Sequence, residues 1–341
     1  MVATRIVYIS VLLLLCANGP TWAQTTPIYQ LTKSVLLGAP DRWDAVALDQ
    51  EADRVYVAHG DRVTVVDGVN GKIIGEVGPY INGIVHGIAV SHAAKRGYTD
   101  DGKAGTANSF DLASLKVRNA IKADVDADGI VADPVSGHVF VINSDPGTIT
   151  VLDPKADKAI AKIDVGAKLE FGIGGNNGKL YVNGEEKKEI VRIDTRTNKV
   201  DAHWSMPDCV SPHGIAFDEA ARRVISTCAN GVMTIINAEN GSVVTKVAIG
   251  HGTDGAAFDP IRKLAFSSNG LDGTLSVVAE IDPNTFVPVA TIKTAVTGRT
   301  MAINPKTGRA YIAAGDVDSS APGRPKALPG TLKLLFFDPQ P

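Results

Sequence analysis

Residues 211–250 read SPHGIAFDEAARRVISTCANGVMTIINAENGSVVTKVAIG, and the organisation of the whole chain follows from them. A short apolar run at 214–217 passes through a polar turn at 218–222 into a second run at 223–227. Cys-Ala-Asn-Gly follows, then a third run at 232–237, a turn carrying Asn240-Gly241, and a fourth run that ends at Ile249. Asn-Gly between apolar runs is a hairpin signal, because both residues tolerate positive φ. No helical period interrupts the runs. The stretch therefore predicts four short antiparallel strands, here termed a to d.

The unit recurs along the chain. The position just before strand a is held by Asp44, His86, Asp128, Glu170, His213, Asp254 and Thr300, spaced 41 to 46 residues apart. The run that forms strand c ends at Asp67, Asp111, Asp153, Asp194, Asn237, Asp282 and Asp338, spaced 41 to 56 apart. In the fourth unit Phe171 competes with Glu170 for the first position. Two rulers agreeing on seven four-stranded units predict an all-β fold, a seven-bladed β-propeller. The chain ends indicate how such a ring closes. Residues 31–38 resemble the strand d that ends at Gly250, and residues 334–339 resemble the strand c at 149–154. Residues 29–37 are thus expected to pair with residues 331–337 in one composite blade, covering edges that would otherwise be open.

The chain has 341 residues, 44% of them hydrophobic, and the unbroken repeat argues for one domain over 24–341 rather than two. Arg5 precedes an apolar run at 6–16, and Thr21-Trp22-Ala23 places small residues at a cleavage site, so residues 1–23 read as a secretory signal peptide. A periplasmic or secreted, monomeric protein is expected. The leader's apolar run is too short for a comfortable span, and no other stretch is suited to cross a membrane. Arg5 is the only charged residue of the leader, so the remainder carries 33 basic against 37 acidic side chains. That balance is a poor footprint for phosphate backbones, and no nucleic-acid partner is expected. Cys209 and Cys228 remain in an oxidising compartment. Antiparallel pairing brings the start of strand a to the end of strand b, so a disulfide is expected between them, the alternative being two free thiols near a site.

In an antiparallel blade the d–a and b–c loops share a face, and strand a lines the channel. The predicted mouth ring is Asp44, His86, Asp128, Glu170, His213 and Asp254, closed by Arg299 and Thr300, with His59 and Glu185 among the b–c residues. Crowded carboxylates raise one another's pKa. The ring therefore needs cations: Arg299, Arg42, protonated histidine or a bound metal. His86, His213, Glu170, Asp128 and Asp254 are the candidate metal ligands, and such a mixed set suits Zn, Mn or Fe(II) better than Ca. The spacing comes from the repeat, however, and carries no metal signature of its own; a purely structural polar ring accounts for the same residues. A mouth histidine such as His213 is expected to contribute little to the stability of the ligand-free protein. The strand-c aspartates read as turn caps on the opposite face. Residues 100–105 read as a polar b–c loop of the second blade, and residues 316–329 as a proline-containing b–c insertion in the seventh. No nucleophile elbow, zinc-helix, Cys-x-x-Cys or phosphate-loop motif appears.

Val55-Tyr56-Val57-Ala58 and Leu180-Tyr181-Val182-Asn183 on strand b, with Val-x-Val-Val-Asp on strand c and Asn-Gly-Lys or Thr-Asn-Lys in the c–d turn, resemble the YVTN-repeat, YncE-like β-propellers over residues 29–341. The resemblance implies a seven-bladed, often exported ring and specifies no activity. The expected function is binding of a small molecule or a protein at the channel-mouth face. The competing expectations are a metal-assisted lyase or lactonase-like hydrolase using the ring, and a non-catalytic interaction scaffold.

Overall fold

The computed structural model describes residues 29–80, 83–318 and 325–340; the expected leader lies outside them. Its strands form seven sheets, each of four antiparallel strands. Blade 1 comprises Val46–Asp49, Arg54–His59, Arg62–Asp67 and Ile73–Val77, and blade 5 comprises Pro212–Asp218, Arg223–Cys228, Val232–Asn237 and Val243–Ala248. The last sheet draws its outer strand from the start of the chain: Tyr29–Leu36 pairs antiparallel with Lys333–Pro339, from Tyr29 opposite Pro339 to Leu36 opposite Lys333. The pairing is the expected one, set two residues further toward the C-terminus at its far end. The chain is a seven-bladed β-propeller. No helix among the described residues is long and apolar enough to cross a membrane.

The burial pattern explains why these residues form these strands. Strands b and c are buried on both faces, as in Arg54–His59 and Val139–Asn143, because each blade is stacked between two others. Their sequences are accordingly continuous β-branched and aromatic runs. Strand d is the outer strand and mostly exposed, as in Val117–Lys122. The buried side chains form one cluster at each interface between neighbouring blades. Tyr181 of blade 4 packs with Ile215, Val224 and Ile236 of blade 5, and Tyr311 of blade 7 packs with Val55 and Val66 of blade 1. The last interface is thus built like the rest, and the ring is closed by core packing as well as by hydrogen bonds.

In five of the seven blades an arginine near the start of strand b ties the blade to the next. Arg54 donates to the Leu112 carbonyl at 2.6 Å, Arg223 to Pro283 at 2.7 Å, Arg262 to Pro305 at 2.9 Å and Arg309 to Gly68 at 2.9 Å, while Arg96 reaches Pro154. The Tyr311 hydroxyl donates to the same Gly68 carbonyl at 2.8 Å, and a Cβ on residue 68 would lie 2.9 Å from that hydroxyl, so glycine is required there. The strand-c aspartates cap their turns: Asp67, Asp153, Asp194 and Asp282 each accept the backbone N–H two residues on, at 2.8–3.1 Å.

Cys209 and Cys228 are joined by a disulfide across 19 residues, with Cα atoms 5.3 Å apart. Closing a loop of that length restricts the unfolded chain by about 3 kcal/mol in the chain-entropy treatment. Cys209→Ala/Cys228→Ala is expected to lower unfolding stability by about that amount, measured by urea titration. Two titratable thiols in unreduced wild-type protein would contradict the assignment.

Candidate functional site

The ring lies where strands a enter the channel, and two local devices place it. The first, in blades 2, 3, 5 and 6, is glycine directly after the ring residue. A Cβ at Gly87 would meet the Ile130 nitrogen at 2.7 Å, and one at Gly214 the Ala256 nitrogen at 2.6 Å, so neighbouring strands a approach too closely for any side chain there. The second device is a polar side chain at the end of strand b. The Asp100 carboxylate accepts the His86 N–H at 2.7 Å and the Gly87 N–H at 2.8 Å. The Asn183 amide donates to the His213 carbonyl at 2.7 Å, and the Ser268 hydroxyl to the Arg299 carbonyl at 2.6 Å. Asp100 and Asp101 therefore belong to strand b of blade 2, Arg96–Asp101, and not to a loop. Asp100 is fully buried, and that burial pushes its carboxyl well above the usual range against the opposing pull of His86.

The ring residues form two histidine centres. In the first, Nδ1 of His86 lies 2.8 Å from Asp44 Oδ2 and 2.9 Å from Asp128 Oδ1. Burial disfavours charge on this imidazole, but hydrogen bonds and charge from the two aspartates outweigh it and hold the group up at about 11. In the second centre, His213 Nδ1 lies 2.8 Å from Asp254 Oδ1, while Nε2 faces Ser211 Oγ at 3.2 Å and Glu185 Oε1 at 3.4 Å. Lys168 holds the other Glu185 oxygen at 3.0 Å. Here too burial opposes the charge, and Asp254, Glu170 and Glu185 raise His213 to about 9. Arg299 joins the centres, with Nη1 2.7 Å from Asp254 Oδ2, Nη2 3.9 Å from Asp44 Oδ2, and a hydrogen bond to the Trp43 carbonyl at 3.3 Å.

Glu170 faces the second centre without a hydrogen bond among the described residues. Burial, reinforced by the charges of Asp128, Glu185 and Asp254 and opposed by His213, pushes its carboxyl to about 8. At neutral pH it is largely protonated. The ring then sets Asp44, Asp128, Glu185 and Asp254 against His86, His213, Arg299 and Lys168, so the crowded carboxylates are compensated by the protein's own cations. Apart from Lys168, which is 41% exposed, the ring side chains paired in these contacts are 12–30% exposed, dry enough to perturb pKa and open enough to be reached.

Seven of the expected site residues come together in this way: Asp44, His86, Asp128, Glu170, His213, Asp254 and Arg299. His59 does not join them. It is buried, with Nδ1 2.8 Å from Thr64 Oγ1 and Nε2 2.6 Å from the Pro40 carbonyl, and so fastens the incoming chain to blade 1. Thr300 is also structural, donating to the Asp44 carbonyl at 2.6 Å. Arg42 is exposed and stands outside the ring. Lys168, Ser211 and Asp100 are participants that the sequence reading did not select. Lys168 could have been found as the cation two residues before Glu170. His213 was expected to matter little to the free protein, yet both its ring nitrogens are engaged, so it supports the mouth as well as facing it.

The histidine shifts set a pH dependence. A histidine whose folded pKa is raised stabilises fully below its unfolded value, near 6.5, and loses that contribution as pH rises through the folded value. For His213 the window runs from 6.5 to about 9, and Glu170, raised from 4.5 to about 8, acts in the same direction. Unfolding stability is expected to fall between pH 6.5 and 9, His213 contributing on the order of 3 kcal/mol, and the fall should be shallower in His213→Ala. Urea midpoints at the two pH values check this; parallel losses in both proteins would contradict it.

No protein-family profile matches the sequence, and no curated protein matches it. Solved propellers do match the fold. A chain of the mitotic checkpoint complex superposes with TM-score 0.75 at 15% identity, covering 98% of both chains. Hydrazine synthase from Kuenenia stuttgartiensis gives TM-score 0.70 at 14% identity over 80% of this chain and 92% of that one. The protein U3-55K gives 0.76 at 8% identity over 92% and 100%. At these identities the likeness shows architecture alone.

Proposed function

We propose that this protein is an exported binding propeller that takes a small ligand at the mouth of its channel. The observation that carries the proposal is Glu170. A partly buried carboxyl raised to about 8, with no hydrogen bond among the described residues, faces a histidine whose own partners are fixed. A titratable group perturbed by burial together with specific charge partners is a candidate for a functional site. A protonated Glu170 offers a donor, and His213 close to it is held by Asp254, which Arg299 holds in turn. A screen of small acids, sugars and divalent metals by thermal shift tests the proposal; the ligand should lose its effect in Glu170→Gln or His213→Ala and keep it in an outer-strand variant such as Ile73→Thr.

A second reading is metal-assisted chemistry of the lyase or lactonase kind. Glu170, Glu185 and His213 offer ligand atoms within 4.8 Å of one another, as do Asp44, His86 and Asp128. The first set fits better, because Nδ1 of His213 is already held by Asp254, the carboxylate partner that orients a metal-bound imidazole. Binding there would release the protons carried by Glu170 and by Nε2. Elemental analysis of purified protein separates the readings: stoichiometric transition metal favours the second, and none, with no loss of stability on chelation, favours the first.

A further inference from the structure

A second concavity shares the mouth face and is chemically the ring's opposite. It encloses about 470 Å³ beside Arg299, between the chain entering blade 1 and the loops of blades 6 and 7. Three cations line it: Arg42, Arg299 and Lys326. Arg42 and Lys326 are exposed and make no ion pair or hydrogen bond among the described residues. The one lining carboxylate, Asp41, already accepts the Gly330 N–H at 2.6 Å. Trp43 is buried against Gly315, where a Cβ would come within 3.2 Å of its ring edge, and its indole N–H has no acceptor among the described residues. Leu271 adds an apolar wall that is half exposed.

We propose that this cavity binds a small organic carboxylate with a flat or branched apolar body. The volume falls in the range of pockets that enclose such molecules. Two cations with no ion pair among the described residues ask for an acceptor with negative charge, and the planar guanidinium of Arg42 matches a carboxylate in two-point geometry. Trp43 and Leu271 supply the apolar surface. Inorganic phosphate has no apolar body to cover Leu271 and is expected to bind more weakly. The assignment deepens the proposed small-ligand reading of the mouth face and rests on it only in sharing that face, since none of the residues that line the cavity is a carboxylate or histidine of the ring.

Isothermal calorimetry on the full-length protein tests it, with indole-3-acetate and benzoate as probes and indole-3-acetamide and inorganic phosphate as comparators. The acids should bind, the uncharged amide at least tenfold more weakly. The double charge reversal Arg42→Glu/Lys326→Glu should weaken the acids a further tenfold or more with an unchanged melting curve, and raised salt should weaken them in wild type. Ile73→Thr, on an exposed outer strand, should leave acid binding as it is. Equal affinity for acid and amide, tighter binding of phosphate, unchanged affinity in the double reversal, or no heat with either acid at millimolar concentration would each overturn the assignment. Loss of acid binding with retention of His213-dependent shifts from other additives would leave the mouth reading standing and remove only this one.

Discussion

Deletion of residues 29–38 is expected to abolish the cooperative unfolding transition altogether. This strand is the outer member of blade 7, and its removal opens the edge of Lys333–Pro339 along its whole length. It also removes Tyr29, which is buried and meets Phe266 edge-on at 5.3 Å in the core between blades 6 and 7. A ring differs from an open sheet in that one weak joint lets every blade splay, so the loss is not confined to blade 7. Point variants grade the effect. Tyr29→Ala should cost about 3–5 kcal/mol, as for other large-to-small changes of a buried aromatic. Tyr29→Phe should be neutral or slightly stabilising, because the Tyr29 hydroxyl is buried without a partner among the described residues. Circular dichroism melts of the three proteins measure this. A truncated chain that still melts sharply would show that the closure is dispensable.

The largest single-residue effect at the mouth is expected for Asp100. Each of its carboxylate oxygens accepts a different backbone N–H, those of His86 and Gly87, in full burial. Asp100→Ala strands both donors and should cost about 2–6 kcal/mol, since each unsatisfied buried group costs roughly 1–3. Asp100→Asn distinguishes this account from simple loss of packing. It keeps the shape but turns an amide N–H₂ against a backbone N–H, so it should lose at least half as much as alanine. It should also disturb the His86 centre, whose backbone Asp100 fixes. Urea unfolding of both variants is the test, and an asparagine variant within about 0.5 kcal/mol of wild type would remove Asp100 from the frame of the site.

The repeat was legible because the blades draw on three shared requirements. Strands b and c, buried on both faces, need unbroken apolar runs such as Val55-Tyr56-Val57-Ala58. The turns need Asp or Asn with Gly at fixed offsets. Strand a needs glycine where the backbones crowd the axis, which is why His86-Gly87, His213-Gly214 and Asp254-Gly255 recur and why the ring could be placed at all. The pairing within the ring was not legible. His86 takes Asp44 and Asp128 from the blades on either side, whereas His213 takes Asp254 from the next blade and Glu185 from the preceding one. That choice depends on side-chain directions between positions about forty residues apart, which the period fixes only as neighbours. His59 resembled a mouth residue because it ends a strand b, but its ring turns back to the Pro40 carbonyl. Asp100 and Asp101 resembled a loop because they are charged, and only the fold reveals the N–H groups that draw them into a strand.

The central claim is that the ring at the channel mouth is a binding unit and that His213 belongs to it. Its most direct test is the thermal midpoint of wild type and His213→Ala at pH 7, each alone and with every member of a panel of divalent metals, small acids and sugars. A ligand that binds the native state raises the midpoint by mass action. The ligand-free variant should melt below wild type, having lost the contacts to Asp254, Ser211 and Glu185. The account predicts at least one additive that raises the wild-type midpoint and leaves that of His213→Ala unmoved; shifts that are equal in the two proteins for every additive would contradict it.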